Sequence, residues 1–191
     1  RNALNLPRLD TKSSKKLSSL IDTAERAAAM CAQITRGKPT AIEVILHGGG
    51  DSALMQPLGT AACVAVLRQS LGGSVNMVNG RLNADERGMT VVESRTEQPV
   101  LGYSNAIEIR VSGEDTHNVI ATQFGNGETR VVAVDGVRLE AVPEGEILLI
   151  ANKDMPGAVG QIGSILGDNG INISRMQLGL HAESGNALTA V

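Results

Sequence analysis

The sequence predicts an α+β fold with two domains, the first built from helices packed on a mostly antiparallel sheet. Apolar residues first recur at helical spacing, and from about residue 89 they recur with a period of two. After a polar junction at residues 142–146 a strand, a helix and further strands follow. We therefore expect one domain over residues 1–143 and a second over 144–191.

The first domain opens with two helices and a strand. Residues 13–36 place apolar side chains at steps of three and four, and Gly37 and Pro39 end this helix. Residues 41–47 are a short β-rich run. A second helix is expected from Pro57, because proline tolerates the first turn, where its missing N–H has no partner.

Consecutive strands follow from Met89. Their apolar alternation, together with short glycine-rich breaks at residues 113–115 and 125–127, predicts antiparallel pairing.

The second domain begins with a continuous apolar run at residues 146–152, typical of a central strand covered on both faces. Asp154 is expected to cap a helix that ends at Asn169 and Gly170. Residues 171–178 read as a strand with a bulge near 174–175, and 187–191 as another. The expected buried face of the helix is Val159, Ile162, Ile165 and Leu166.

Composition argues against several partners. A net charge of −3, one Phe, one Tyr and no Trp disfavour nucleic acid. No apolar run approaches the roughly 18 to 20 residues that cross a bilayer, so no membrane is expected. Cys31 and Cys63 lie in alanine-rich helical patterns without metal-ligand spacing, which favours reduced core thiols.

Catalytic machinery is not recognisable in this chain. There is no Gly-x-Gly-x-x-Gly between a strand and a helix and no Gly-Lys-Ser/Thr loop. The histidines at 47, 117 and 181 lie far apart, and we expect each to be solvated. No catalytic residue, metal ligand or cofactor is therefore predicted here.

One binding site is predicted where a strand runs directly into a helix. Backbone amides of the first turn, at Gly157, Ala158 and Val159, favour a carboxylate because they lack helical acceptors. The Asp154 carboxylate and side-chain amides can hold an ammonium or hydroxyl group. The alternative is that Asp154 only caps the helix and that Asn172 only tolerates a turn. The side-chain partners for the ligand are Asn152, Asp154 and Asn172.

A stripe of small residues lies on the same helix. Gly160, Gly163 and Gly167 recur at steps of three and four, which allows close approach of a sheet, a helix or another subunit. This pattern predicts self-association.

The sequence resembles the D-3-phosphoglycerate dehydrogenase family. Residues 154–167 (DMPGAVGQIGSILG) and 170–177 (GINISRMQ) look like its ACT regulatory domain. Residues 2–7 (NALNLP), 75–79 (VNMVN) and 84–88 (ADERG) are similar to the intervening domain of its long form. Asp135-Gly136 and residues 142–145 (VPEG) resemble the junction between those domains.

This resemblance implies a ferredoxin-like βαββαβ ACT domain, of which the chain up to Val191 would hold an incomplete part. It implies an enzyme that oxidises D-3-phosphoglycerate with NAD at the first committed step of L-serine biosynthesis. The dinucleotide and substrate domains would precede Arg1, so NAD belongs to the parent enzyme. The parent would be a homodimer or homotetramer in the cytoplasm, or in a plastid if it carries a transit peptide.

The same resemblance places the effector L-serine at Asn152, Asp154, the amides of residues 157–159, and Asn172. Position 152 is often His or Tyr in the family. Arg130 matches a position that holds anions in some members, and Arg138 lies close by in sequence. Two other such positions are Val137 and Val142 here.

Two other functions remain open at this point. The chain could be the regulatory part of an iron–sulfur L-serine dehydratase, which would need cluster cysteines that Cys31 and Cys63 do not supply by spacing. It could also be an oligomerisation module without a ligand.

Overall fold

The computed structural model describes residues 11–125, 127–181 and 185–191, with side chains from residue 16 onward. The similarity at residues 2–7, and Asn126 in the second predicted turn, lie outside the described residues. The fold is α+β, as predicted, with a mostly antiparallel six-stranded sheet and a separate three-stranded sheet.

The elements are named in chain order. The helices are α1 (Thr11–Ile34), α2 (Met55–Leu71), α3 (Gly80–Glu86) and α4 (Ala158–Asp168). The strands are β1 (Ala41–His47), β2 (Thr90–Thr96), β3 (Ala106–Ser112), β4 (Thr116–Gln123), β5 (Thr129–Val134), β6 (Val137–Ala141), β7 (Leu149–Lys153), β8 (Gln177–Leu180) and β9 (Asn186–Ala190).

The six-stranded sheet has the order β2-β1-β3-β4-β5-β6. Antiparallel pairing is confirmed from β3 to β6, but β2 pairs with β1 in parallel. The prediction was wrong for β2 because α2 and α3 return the chain to the starting end of β1, as in a βαβ unit. Neither α3 nor β6 was recognised as a separate element in the sequence.

Helices α1 and α2 pack on each other and on one face of this sheet. Ile42, Val44 and Leu46 point into the core, while the residues between them are only partly buried. Cys31 and Cys63 are fully buried, as predicted. Burial raises the pKa of the Cys31 thiol to about 12, so it remains protonated at neutral pH.

The small sheet has the order β7-β9-β8, and both outer strands are antiparallel to β9. Strands β7 and β8 are therefore parallel and joined through α4, an arrangement consistent with an ACT-like domain. Strand β7 lies at an edge and is only partly buried, so its predicted cover on both faces is wrong. The predicted strand over 171–178 is confined to β8, because residues 171–176 form no ladder.

Helix α4 is confirmed, but Asp154 does not cap it. The N-cap is Gly157, whose φ of 89° lies in the left-handed region that glycine adopts without strain. The predicted end is confirmed by Asn169 as C-cap and by Gly170 with a φ of 70°. The predicted buried face is wrong, since only Leu166 is buried.

The two sheets share one apolar cluster. Ala190 is buried in the main core, and Ile147, Leu149 and Leu188 pack against it. Arg26 of α1 donates to the Pro143 carbonyl oxygen at 3.0 Å and pairs with Glu144 at 3.1 Å. The boundary between residues 143 and 144, which stays a prediction, therefore falls within a packed junction.

Candidate functional site

The predicted effector site begins at the end of β7. The Asn152 side-chain amide donates to the Lys153 carbonyl oxygen at 2.8 Å, and its oxygen accepts from the Thr189 hydroxyl at 3.4 Å. The Asp154 backbone amide donates to the Gly185 carbonyl oxygen at 3.0 Å, while its side chain is exposed. Asn152 therefore braces the turn, and the Asp154 carboxylate remains available to a ligand.

The turn after Asp154 leads into the first turn of α4. The Ala158 amide donates to the Met155 carbonyl oxygen at 3.2 Å, so one of the three amides predicted to face a ligand is already occupied. The Val159 amide lies in the first turn, where the helix offers no acceptor. A Cβ built on Gly157 would meet nothing within 4 Å, so a small anion has room to approach.

Asn172 lies at the other end of α4. The Ile171 amide donates to the Leu166 carbonyl oxygen at 2.9 Å, which holds this segment against the last turn of the helix. Eleven residues of helix span about 16 Å at 1.5 Å per residue. The structure therefore brings together the predicted residues between 152 and 159, and it leaves Asn172 apart from them.

The predicted anion site is divided between two cavities. Arg130 lines one of about 690 Å³ between the sheets, and Arg138 lines another of about 370 Å³ beside Tyr103. Arg130 is 2.5 Å from Glu128 and lies over the Phe124 ring, 5.6 Å from its centroid.

The charges around the larger cavity do not favour an anion. Arg130 shares the lining with one further arginine, Arg175. Three carboxylates, of Glu140, Glu144 and Glu146, also line it. The carboxylates outnumber the guanidinium groups, so an incoming anion would meet repulsion as well as attraction.

A buried polar cluster on β1, β3 and β4 was not predicted. The Glu108 side chain, 6% exposed, accepts from Asn118 at 3.1 Å and Arg110 at 2.8 Å and lies 3.0 Å from the His47 ring. Burial alone would raise the pKa of Glu108, but these donors outweigh it and lower the pKa. The prediction of a solvated His47 was wrong. The sequence feature that could have indicated this cluster is Glu108, a glutamate among the apolar residues of β3.

A second cluster surrounds His117, which was also predicted to be solvated. Its Nδ1 lies 2.6 Å from Asp135 Oδ2, and its Nε2 lies 3.4 Å from Asp115 Oδ2. Asp115 also pairs with Arg36 at 2.7 Å. Burial would lower the pKa of His117, but the two carboxylates raise it. This cluster was not predicted because its members are far apart in sequence: Arg36 follows α1, and the other three residues lie on two different hairpins.

The described ranges contain neither a metal-binding cluster nor a membrane-spanning helix. No group of three or more His, Cys, Asp or Glu side chains there could hold a metal ion. No helix in that part of the chain is long and apolar enough to span a bilayer.

Comparison with known proteins gives consistent matches. Residues 16–135 match the D-3-phosphoglycerate dehydrogenase intervening domain. The chain is 33% identical to the D-3-phosphoglycerate dehydrogenase of Synechocystis sp., over all of this chain and 35% of that protein. It is 30% identical to that of Bacillus subtilis, over 98% of this chain and 36% of that protein. The chain is 29% identical to the D-3-phosphoglycerate dehydrogenase of Methanocaldococcus jannaschii, over 98% of this chain and 35% of that protein. The chain thus spans about a third of these relatives' length.

Proposed function

Because this chain belongs to the D-3-phosphoglycerate dehydrogenase intervening-domain family, we propose that it is the regulatory and oligomerisation part of such an enzyme. The parent oxidises D-3-phosphoglycerate with NAD in the cytoplasm, and residues 144–191 sense L-serine. The cofactor and catalytic groups belong to the parent, because this chain has no glycine-rich dinucleotide loop.

The observation that carries serine sensing is the turn from β7 into α4. It presents the exposed Asp154 carboxylate beside first-turn amides, with open space at Gly157. An amino acid carries both charges that this pair attracts: its carboxylate suits the helix N-terminus, and its ammonium suits Asp154.

The position of Asn172 supports a site between two copies of the chain. Within one copy α4 separates Asn172 from Gly157, so one small ligand cannot touch both. A second copy packed in antiparallel fashion along α4 places its Asn172 at the first copy's turn, as two-fold symmetry allows. Serine binding and self-association are therefore expected to depend on each other.

Calorimetric titration with L-serine tests the proposal. Replacing Asn172 by Ala removes hydrogen bonds to a charged ligand worth about 1.5 to 3 kcal/mol. Affinity is then expected to fall roughly tenfold to a hundredfold. Asp154→Ala is expected to weaken binding without a loss of helix capping, since the cap is Gly157.

The matched control is Asn169→Ala at the same end of α4. Its side-chain amide donates to the Ile165 carbonyl oxygen at 2.8 Å, so it serves the helix and not the ligand. We expect unchanged serine affinity in this variant. An Asn172→Ala variant that binds serine as tightly as the unsubstituted chain would show that the site is misassigned.

A second titration, with NAD, tests whether this chain binds the cofactor. The 191-residue chain is expected to show no binding. A dissociation constant in the micromolar range would contradict the assignment of the cofactor to the rest of the parent.

A ligand-free oligomerisation module is the second candidate. The exposed apolar side chains of α4 favour it, because they suit a subunit contact whether or not serine binds. Self-association without any heat of serine binding would select this function. The family match favours a dehydrogenase over a serine dehydratase as the parent.

A further inference from the structure

The two sheets meet at their edges. Strand β6 is the last strand of the large sheet, and it packs against β8, an edge strand of the small sheet. Gly179, in the middle of β8, is buried at this contact, while its neighbours Leu178 and Leu180 are 44% and 53% exposed. Gly179 is therefore the residue of β8 that lies closest to β6.

Space, and not backbone conformation, requires glycine here. Gly179 is not among the glycines with positive φ. A Cβ at this position would lie 2.2 Å from the Arg138 carbonyl oxygen and 2.7 Å from Cγ1 of Val137. Real side chains do not approach so closely, so any larger residue must push β8 away from β6.

The obstructing atom has little freedom to move. The Arg138 carbonyl oxygen belongs to the backbone of β6, which is paired with β5 through Ala133 and Arg138. A flexible side chain could rotate aside, but a strand backbone moves only with its sheet.

Strand β6 also leads directly into the junction and β7. A displacement of β8 thus reaches the large sheet by contact at Gly179, and β7 follows β6 along the chain. The hydrogen bond from Arg26 to the Pro143 carbonyl oxygen holds the junction against α1, which restricts movement of one sheet relative to the other.

We propose that Gly179 is the positioning residue that fixes the small sheet to β6, so that a shift of either sheet displaces the other. The close backbone approach transmits movement in both directions. This coupling does not depend on whether serine is the effector.

Hydrogen exchange followed by mass spectrometry tests the coupling with Gly179→Ala in this chain. The control is Gly73→Ala, in the turn after α2, where an added Cβ would meet nothing within 4 Å and φ is not positive. We expect exchange in both β6 and β8 of Gly179→Ala to accelerate roughly tenfold, which corresponds to about 1.4 kcal/mol of local opening free energy. Strands β1 and β3 of Gly179→Ala should exchange as in the unsubstituted chain. All strands of the control should do the same.

A second variant, Val137→Ala, adds no atom at the contact. It removes the methyl groups that pack over Gly179, and we expect faster exchange in β8, on the other side of the junction. If Gly179→Ala is insoluble, exchange in β8 of Val137→Ala alone tests the proposal. Acceleration confined to one strand, acceleration throughout the large sheet, or unchanged exchange of β8 in Val137→Ala would each overturn the proposal.

Discussion

The two sheet regions bury their apolar side chains to different extents. The twelve largest fully buried side chains of the described residues all lie between Ile42 and Val134. Seven of the ten large apolar side chains that are exposed there lie between Leu148 and Leu180. The large sheet buries most of its apolar side chains beneath α1 and α2, while the segment from Leu148 to Leu180 keeps much of its apolar surface in contact with water.

This difference separates two uses of apolar residues. In the large sheet they stabilise the fold, because each removes surface from water within one chain. On α4 and β8 the same residue types contribute little to the folding of this chain and offer contact area to another surface. Equal substitutions in the two regions should therefore change different quantities.

A matched pair of isoleucines gives the largest expected effect. Ile109→Ala, at a fully buried position of β3, is expected to cost about 2 to 5 kcal/mol in the free energy of unfolding. Ile165→Ala, 55% exposed on α4, is expected to change it by less than about 0.5 kcal/mol. Urea unfolding at a concentration too low for self-association measures both, so that only the folding of one chain is compared. Similar losses would remove the distinction between the regions.

The next effect concerns self-association. Ile165→Glu places a charge on the exposed face of α4, and a disrupted contact of this kind typically costs about 2 kcal/mol or more. We expect light scattering to show dissociation at concentrations where the parent is associated. Val92→Glu, on a residue 46% exposed in β2, is the control and should leave the mass unchanged. If the unsubstituted chain is monomeric at high concentration, the predicted association is wrong.

The large sheet was easier to predict from sequence than the small one. Strand β1 was located at its observed bounds, Ala41–His47, from a short β-rich run. Parallel pairing of β2 could not be predicted from alternation, since period two is the same in both directions. The partly exposed α4 and the short β8 show that apolar spacing indicates a helix or strand without indicating what covers it.

The candidate site was predictable only as a local motif. The turn from β7 to α4 is contiguous in sequence, so Asp154 and Gly157 could be placed together in advance. Asn172 lies beyond the far end of α4, so the length of that helix separates it from Gly157. The His117 cluster depends on tertiary packing, because Arg36, which follows α1, meets residues of two hairpins.

The smallest expected effect is a pH dependence that belongs to the large sheet alone. The pKa of His117 is raised in the folded chain, so its contribution to stability is full below its unfolded pKa of about 6.5. That contribution is lost as pH rises through the folded pKa. The pKa of Asp115 is lowered to about 2, mainly by hydrogen bonds from the Arg36 backbone and side chain. Its contribution is present above about pH 3.9 and is lost as pH falls.

The cluster should therefore stabilise the chain most between about pH 4 and 6.5. His117→Gln is expected to reduce the free energy of unfolding by up to about 1 kcal/mol in that window and by less at higher pH. Urea unfolding at several pH values measures the difference. Asp115→Asn, which keeps the side-chain shape, should flatten the loss of stability on acidification. A His117→Gln deficit that grows as pH rises would contradict the assignment, because a histidine with a raised pKa stabilises the fold only while it is protonated.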